Sequence, residues 1–400
     1  MGNQALSGLK VIDLSWHIAG PYCTKLLADM GADVIKVERP EKGDPSRWEG
    51  PFPNDELDLN ASGLFGYLNN NKRGLTLNLQ TGQGKEMIKT LVSEADILVE
   101  NFSPGVMERL GLGYKELKSI NPRLIMTSIS NFGQQGKYRN MKATEMITAA
   151  MSGHMGQIGE SDREPVRAAG SLRMLEYIAG TFAAMSTMAE IVGRKPGGAG
   201  KHLDISITEC GALLISYRTV QNSYPTVPAK YIERYMMIPS VEKCKDGYIG
   251  ISLLHGRHWQ DFCYMTEMYD WAEDPRFMDL FKRIEHKEEF KARLDPWLMA
   301  HTKEEIFKLG SEWRVPITDV PSFEEMLSIP QYKERNFFIQ VDHPVMGSVM
   351  QPGAPYRMSE SPWRINYPAP LLGEHNEEIY KNRLGFSDEK IALYQKEGII

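Results

Sequence analysis

Over its first 200 residues the chain alternates short, continuously apolar runs with helix-length amphipathic segments, and few architectures accept that alternation. Val11–Leu14, Asp33–Glu38, Asp96–Glu100 and Leu124–Ser130 read as buried strands. Leu75–Leu79 reads as another, because Leu75, Leu77 and Leu79 alternate with Thr76 and Asn78. Between them, Tyr22–Met30 is helical in pattern, opened by Gly20-Pro21 and stopped by Gly31, and Gln83–Ala95 and Tyr114–Ile120 are helical too. Strand–helix–strand repetition through short connections implies an α/β fold with a parallel sheet covered on both faces.

A long Ala- and Met-rich apolar helix is expected over residues 171–192, with one more strand at His202–Ile207. From about residue 225 charged amphipathic helices take over, at Lys287–Met299 and Lys303–Glu312, accompanied by Trp259, Trp271, Trp297 and Trp313. The expected organisation is a large domain beginning in 1–224, a smaller second domain at 225–330, and a return to the large domain at 331–400. A chain of 400 residues has room for two cores.

Several function classes are disfavoured at this level. A net charge of -6 gives no basis for nucleic-acid binding, so a polyanionic ligand has to be met by a local cluster of cations. Four scattered cysteines without a C-x-x-C pair do not form a disulfide framework or a zinc site. His255 and His258 lack an acidic partner in a metal-binding pattern. No apolar run has the length of a membrane span and Met1–Ser7 is unlike a signal peptide, so the cytoplasm is the expected compartment. Glu38 ends the second strand where a Rossmann dehydrogenase binds ribose, but the turn Ser15-Trp16-His17-Ile18-Ala19-Gly20-Pro21 lacks the glycine fingerprint that pyrophosphate needs. There is no G-x-S-x-G elbow for a serine hydrolase.

Cations placed at the ends of the predicted strands are more telling. Arg39 follows the second strand, Lys72-Arg73 precede the third, Arg109 follows Asn101-Phe102-Ser103-Pro104-Gly105, and Lys142 comes after the fifth. Residues that follow parallel strands gather at one sheet edge, where phosphates can be cradled. Glu176, at the entrance of the apolar helix, is either a nucleophile or an ordinary first-turn acid, and a helix N-terminus is expected to keep it ionised. Met141, Met146, Met151 and Met155, with Tyr138 and Tyr177, read chiefly as core packing and alternatively as the lining of a pocket for a bulky or aromatic acid.

These stretches resemble class III CoA-transferases. The likeness is carried by Leu6–Leu14, Ala19-Gly20-Pro21, Leu27–Glu38, Gly43-Asp44, Asn71-Lys72-Arg73, Val99–Gly105, Arg109-Leu110-Gly111, Gly373–Asn376 and Leu384-Gly385. It spans nearly the whole chain and takes in the formyl-CoA, carnitine and benzylsuccinate transferases and the α-methylacyl-CoA racemases. The resemblance implies a Rossmann-like large domain and a small domain in an interlocked dimer. It implies acyl-CoA and a carboxylic acid as substrates, no permanently bound cofactor, and CoA contacts at Arg39, Asn101, Phe102, Arg109 and Lys142.

It also implies covalent catalysis by a carboxylate, for which the family's aspartate is here Glu176. The extra methylene moves that carboxylate by on the order of 1 Å, a displacement that costs about a hundredfold when uncompensated. Gly170–Leu175 is the stretch placed to compensate. Two readings follow: an active transferase with Glu176 as nucleophile, or an accessory subunit of a heteromer whose partner brings the aspartate. Alternatives are a CoA-thioester-binding protein and a racemase, the last disfavoured because its Gly-His-Asp acid/base motif appears as Ala143-Thr144-Glu145.

Overall fold

The computed structural model describes residues 4–157, 173–195, 197–224, 226, 237–253 and 255–400. The expected domain boundary at 225, and Gly170-Ser171-Leu172 of the stretch before Glu176, lie outside them. The described residues fall into two compact units, one drawn from 4–157, 173–226 and 337–400 and the other from 237–336.

The first unit is built on six strands: β1 (Lys10–Asp13), β2 (Asp33–Glu38), β3 (Lys72–Thr76), β4 (Ile97–Glu100), β5 (Ile125–Ser130) and β6 (His202–Ser206). All pair in parallel, in the order β3-β2-β1-β4-β5-β6. The apolar runs are continuous because both sheet faces are covered. Ile12, Ile35, Leu75, Leu98 and Met126 point into one core, which α3 (Gly82–Ser93) and the C-terminal residues Ile379, Tyr380 and Ile391 complete. Val11, Val34, Ile97, Val99 and Ile129 point into the other, covered by α1 (Ala19–Asp29) and the long α7 (Met174–Gly193). Between these lie the shorter α2 (Gly63–Leu68), α4 (Val106–Leu110), α5 (Tyr114–Ile120) and α6 (Glu145–Met151). A hairpin of Phe338–His343 and Gly347–Pro352 also belongs to this unit.

The third strand differs from its sequence reading. It begins at Lys72 rather than Leu75, so Lys72 and Arg73 are strand residues rather than the residues before a strand. The charges are tolerated there because each is paired, Lys72 with Asp13 and Arg73 with Asp33 and Glu378.

Two glycines fix where the functional elements meet. A Cβ on Gly20 would stand 2.1 Å from Ser15 Cβ, so the β1–α1 turn closes only over a glycine. A Cβ on Gly180 would stand 2.5 Å from Ala19 O and 3.2 Å from Tyr22 Cβ. That close approach sets α7 against the start of α1, with Glu176 one turn upstream.

The second unit packs helices on a three-stranded antiparallel sheet of Val241–Cys244, Gly247–Ile251 and Ile317–Asp319. Its core is aromatic, with Trp259, Phe262, Trp271, Phe277 and Phe290 all buried. Trp259 Nε1 donates to Trp271 O at 3.0 Å, which satisfies the one polar atom that so large a buried ring carries. Helices Lys287–Ala300 and Lys303–Trp313 occupy the stretches read as amphipathic.

Candidate active site

Strand order reverses between β1 and β4, and in an open parallel sheet a crevice forms beyond the strand ends at that point. A cleft of about 390 Å³ lies there. Leu14, Trp16 and His17 enter it from the end of β1, Arg39 from β2, Asn78 from beyond β3, and Asn101 and Phe102 from β4.

Its frame is a buried polar network beneath the β1–α1 turn. Asp13 accepts from Ser15 N at 3.0 Å, Thr24 Oγ1 at 2.6 Å and Lys72 Nζ at 3.0 Å. Burial alone would raise the Asp13 carboxyl, but Lys36, Lys72 and the two hydroxyls outweigh it and hold the carboxyl down at about 2. Asp44 pairs with Lys36 at 2.6 Å and accepts from His17 N at 3.0 Å. The Asn101 amide takes both backbone groups of Trp16, each at 2.7 Å, and so locks the turn to the end of β4.

On this frame the Arg39 guanidinium lies 4.5 Å from the Trp16 ring centroid, and Phe102 meets the same ring edge-on at 5.0 Å. The cleft therefore offers an exposed cation beside two aromatic faces, a surface suited to a base and a phosphate. Glu38 does not serve as a ribose ligand. Its carboxylate is held by Arg47 Nε and Nη2 at 2.6 and 2.8 Å, fully buried.

The sequence-level candidates separate on this geometry. Arg39, Asn101 and Phe102 come together in the cleft. Arg109 is exposed on α4, next to the cleft residue Leu110, and Lys142 is exposed in the segment before α6. Lys72 and Arg73 stand elsewhere. The Lys72 ammonium is enclosed by Asp13, Pro21 O, Thr24 and Asn69 at 2.7–3.0 Å. Arg73 is paired with Asp33 and Glu378 at the opposite end of the sheet. Tyr138, Met141, Met146 and Met151 are exposed rather than packed in the core, and line neither this cleft nor the cavity described next.

Beyond His17 lies a second cavity, of about 520 Å³. Ile18, Glu49, Tyr67, Arg173 and Tyr177 line it, with Met346 and Met350 of the hairpin. One residue couples the two spaces: His17 lines the nucleotide-sized cleft, while its Nδ1 lies 3.3 Å from Glu49 Oε1 on the wall of the second cavity. Glu49 also holds Arg173, at 2.5 Å. Both His17 and Arg173 have left-handed backbones, at φ 60° and 42°. Such conformations cost on the order of 1 kcal/mol each and gather at functional sites.

Glu176 sits half-buried in the first turn of α7, three residues after Arg173. The helix end leaves it only about half ionised at neutral pH, short of the expectation from sequence. Burial pushes its carboxyl up, Arg173 opposes this, and Glu145 and Glu49 add to it, leaving it at about 7. Glu145 stands where the racemase acid/base motif was sought, and its Oε1 accepts from Leu175 N at 3.0 Å, capping α7. Sequence reasoning missed Glu49 altogether, and it named His17 only as an unpaired possible base and Glu145 only within the racemase motif, since folding alone brings Glu49 and Glu145 to Glu176 and His17 to Glu49. Among the described residues no cluster of His, Cys, Asp or Glu could hold a metal ion, and no helix is long and apolar enough to cross a membrane.

The model of CoA-transferase family III matches residues 6–376. An acyl-CoA transferase of Fusarium pseudograminearum is 33% identical, across 99% of this chain and 88% of its own length. A succinyl-CoA–D-citramalate CoA-transferase of Chloroflexus aurantiacus is also 33% identical, across 99% of this chain and 98% of its own. Among solved structures, a CAIB/BAIF family protein from Brucella suis matches with a TM-score of 0.83 at 28% identity, covering 95% of this chain and 100% of that one.

Proposed function

Because this chain belongs to CoA-transferase family III, and is thus a CoA-transferase, we propose that it moves CoA from an acyl-CoA to a carboxylic acid with Glu176 as nucleophile. One observation carries the choice of residue. Glu176 is the acid next to the wall where the nucleotide-sized cleft and the second cavity meet, a wall built of His17, Glu49 and Arg173. The nucleotide end of CoA occupies the cleft against Arg39, Trp16 and Phe102, with Arg109 and Lys142 as further phosphate contacts, and the thioester reaches Glu176.

In the first step the Glu176 carboxylate attacks the thioester carbonyl and expels CoA thiolate, leaving an acyl–glutamyl anhydride. The thiolate then attacks the glutamyl carbonyl, releasing the donor acid and leaving a glutamyl–CoA thioester. The acceptor carboxylate attacks that thioester, and the returning thiolate takes the acceptor acyl group and frees Glu176. Splitting one transfer into four acyl substitutions is covalent catalysis, which requires the glutamate in its anionic form. The test is hydroxylamine trapping during turnover with an acyl-CoA. A hydroxamate on the peptide carrying Glu176 is expected, and turnover without one excludes this nucleophile.

The raised carboxyl sets a pH dependence. Only the anion attacks, and the anionic fraction grows as pH rises through about 7. Below that pH, kcat/KM falls about tenfold per unit, and above it the rate levels off. Glu145→Gln removes one raising charge yet keeps an oxygen for the Leu175 amide, so its limb moves to lower pH. Arg173→Gln moves it to higher pH. Arg39→Ala is expected to weaken CoA binding by about tenfold, the loss of one stacking and phosphate contact. Calorimetry with CoA reads it directly.

A second reading is favoured by the same titration. A carboxyl half protonated at neutral pH suits an accessory subunit of a heteromer whose companion chain supplies the reacting aspartate. Assay of the purified chain separates the two: full transfer without a companion excludes the accessory role. The assembly proposed for either is an interlocked dimer, of like or of related chains.

A further inference from the structure

The second cavity has an uneven chemistry. Among its described lining residues only Glu49 and Arg173 carry charge, and they are paired with each other. Away from that pair the wall is mostly apolar, with Ile18, Leu64, Met346, Met350 and the rings of Tyr67 and Tyr177, and Gln351 is its one described side-chain amide. Three carboxylates, Glu49, Glu145 and Glu176, act at the charged end against the one guanidinium of Arg173. The reacting group stands close behind the charged end: Arg173 and Tyr177 line the cavity at the start of α7, and the Glu176 carboxyl between them in the chain interacts with both Arg173 and Glu49.

We propose that this cavity receives the hydrocarbon part of an apolar monocarboxylic acid, with its carboxyl at the Arg173 end facing Glu176, and that it rejects dicarboxylic acids. The assignment of the reacting end rests on Glu176 being the nucleophile. A volume of about 520 Å³ accepts an aryl or branched alkyl chain. Each methylene placed against the apolar wall gains about fourfold in affinity. A second carboxylate, at the other end of the acid, would face the wall away from Arg173, where no described side chain carries a positive charge. Leaving a buried charge unpaired costs about a hundredfold or more in discrimination. The cavity thus differs in demand from a site for a diacid, such as the one that the name of the Chloroflexus aurantiacus relative implies.

The experiment compares acids of equal length on the purified chain. Hexanoate is set against adipate, and octanoate against suberate, as CoA acceptors and as ligands of the CoA-loaded protein by calorimetry. The monocarboxylates are expected to exceed the diacids by about a hundredfold in kcat/KM and at least about tenfold in affinity. Met350→Arg places a free cation on the apolar wall and is expected to shrink the ratio about tenfold by raising the diacid. Equal or better use of diacids by the parent chain overturns the inference and leaves the transferase reading intact. If no acid receives CoA, the role of Glu176 falls, and the calorimetric ratio still decides: a preference for the monocarboxylates supports the pocket assignment, and equal affinities overturn it.

Discussion

Glu176→Gln is expected to lower CoA transfer about 10⁴-fold while leaving CoA affinity unchanged, because removal of a covalent nucleophile takes away the reaction path and not the binding site. Gln keeps the volume and the polarity, so α7 and its contact with α1 at Gly180 are undisturbed. In the proposed binding mode affinity is carried at the far side of the β1–α1 turn, by Arg39 over Trp16 and by Phe102, none of which the substitution touches. Glu176→Asp provides the graded comparison. It restores the family's usual acid but withdraws the carboxylate by on the order of 1 Å from a wall set for glutamate, and about a hundredfold loss is expected. Stopped-flow or quenched assays of CoA transfer with calorimetry of CoA binding check both. Parental transfer by Glu176→Gln would assign the chemistry to another group or another chain.

The parallel sheet was legible because its signal is local. Each strand is a short apolar run that must be buried on both faces, and the alternation of Val11 with Ile12, or Val34 with Ile35, between two cores is what such a run requires. The third strand was displaced by three residues because Lys72 and Arg73 look like loop residues in isolation. Their acceptance depends on Asp13 and Asp33, which come from β1 and β2, and no window of sequence contains both halves of either pair. The same limit applied at the site. The acid at the head of the apolar helix was visible from its position, but its protonation was not. The sequence shows a helix N-terminus, which favours an anion, whereas Glu145 and Glu49 act from 31 and 127 positions earlier in the chain, by subtraction from 176. Met141, Met146 and Met151, read chiefly as core, are exposed instead, and of that group Tyr177 lines a cavity, whose methionines, Met346 and Met350, come from a hairpin far along the chain.

Lys72→Met is expected to lower the stability of the folded chain by about 3–5 kcal/mol, the cost of breaking a buried ion pair from one side. The ammonium is wholly enclosed, with Asp13 at 3.0 Å and Pro21 O, Thr24 Oγ1 and Asn69 Oδ1 at 2.7–2.9 Å, so its loss leaves a carboxylate and three further acceptors short of a donor. Asp13 keeps Lys36, Ser15 and Thr24, which limits the damage to partial rather than complete unfolding of the network. The acid limb shows the same coupling. Asp13 is held at about 2 against an ordinary 3.8, so the folded state binds fewer protons than the unfolded state between those values. Its contribution, about 2 kcal/mol by the size of the shift, is present above the ordinary value and is lost as pH falls through the folded one. With Lys72 gone the folded value rises toward the ordinary one, so the variant loses this term at higher pH than the parent. Urea unfolding at pH 7 and along the acid limb measures both effects. CoA affinity of the folded variant separates the two roles considered for this lysine: an unchanged value means that it braces the turn beneath the cleft, whereas weakened binding at parental stability would mean that it reaches the phosphates.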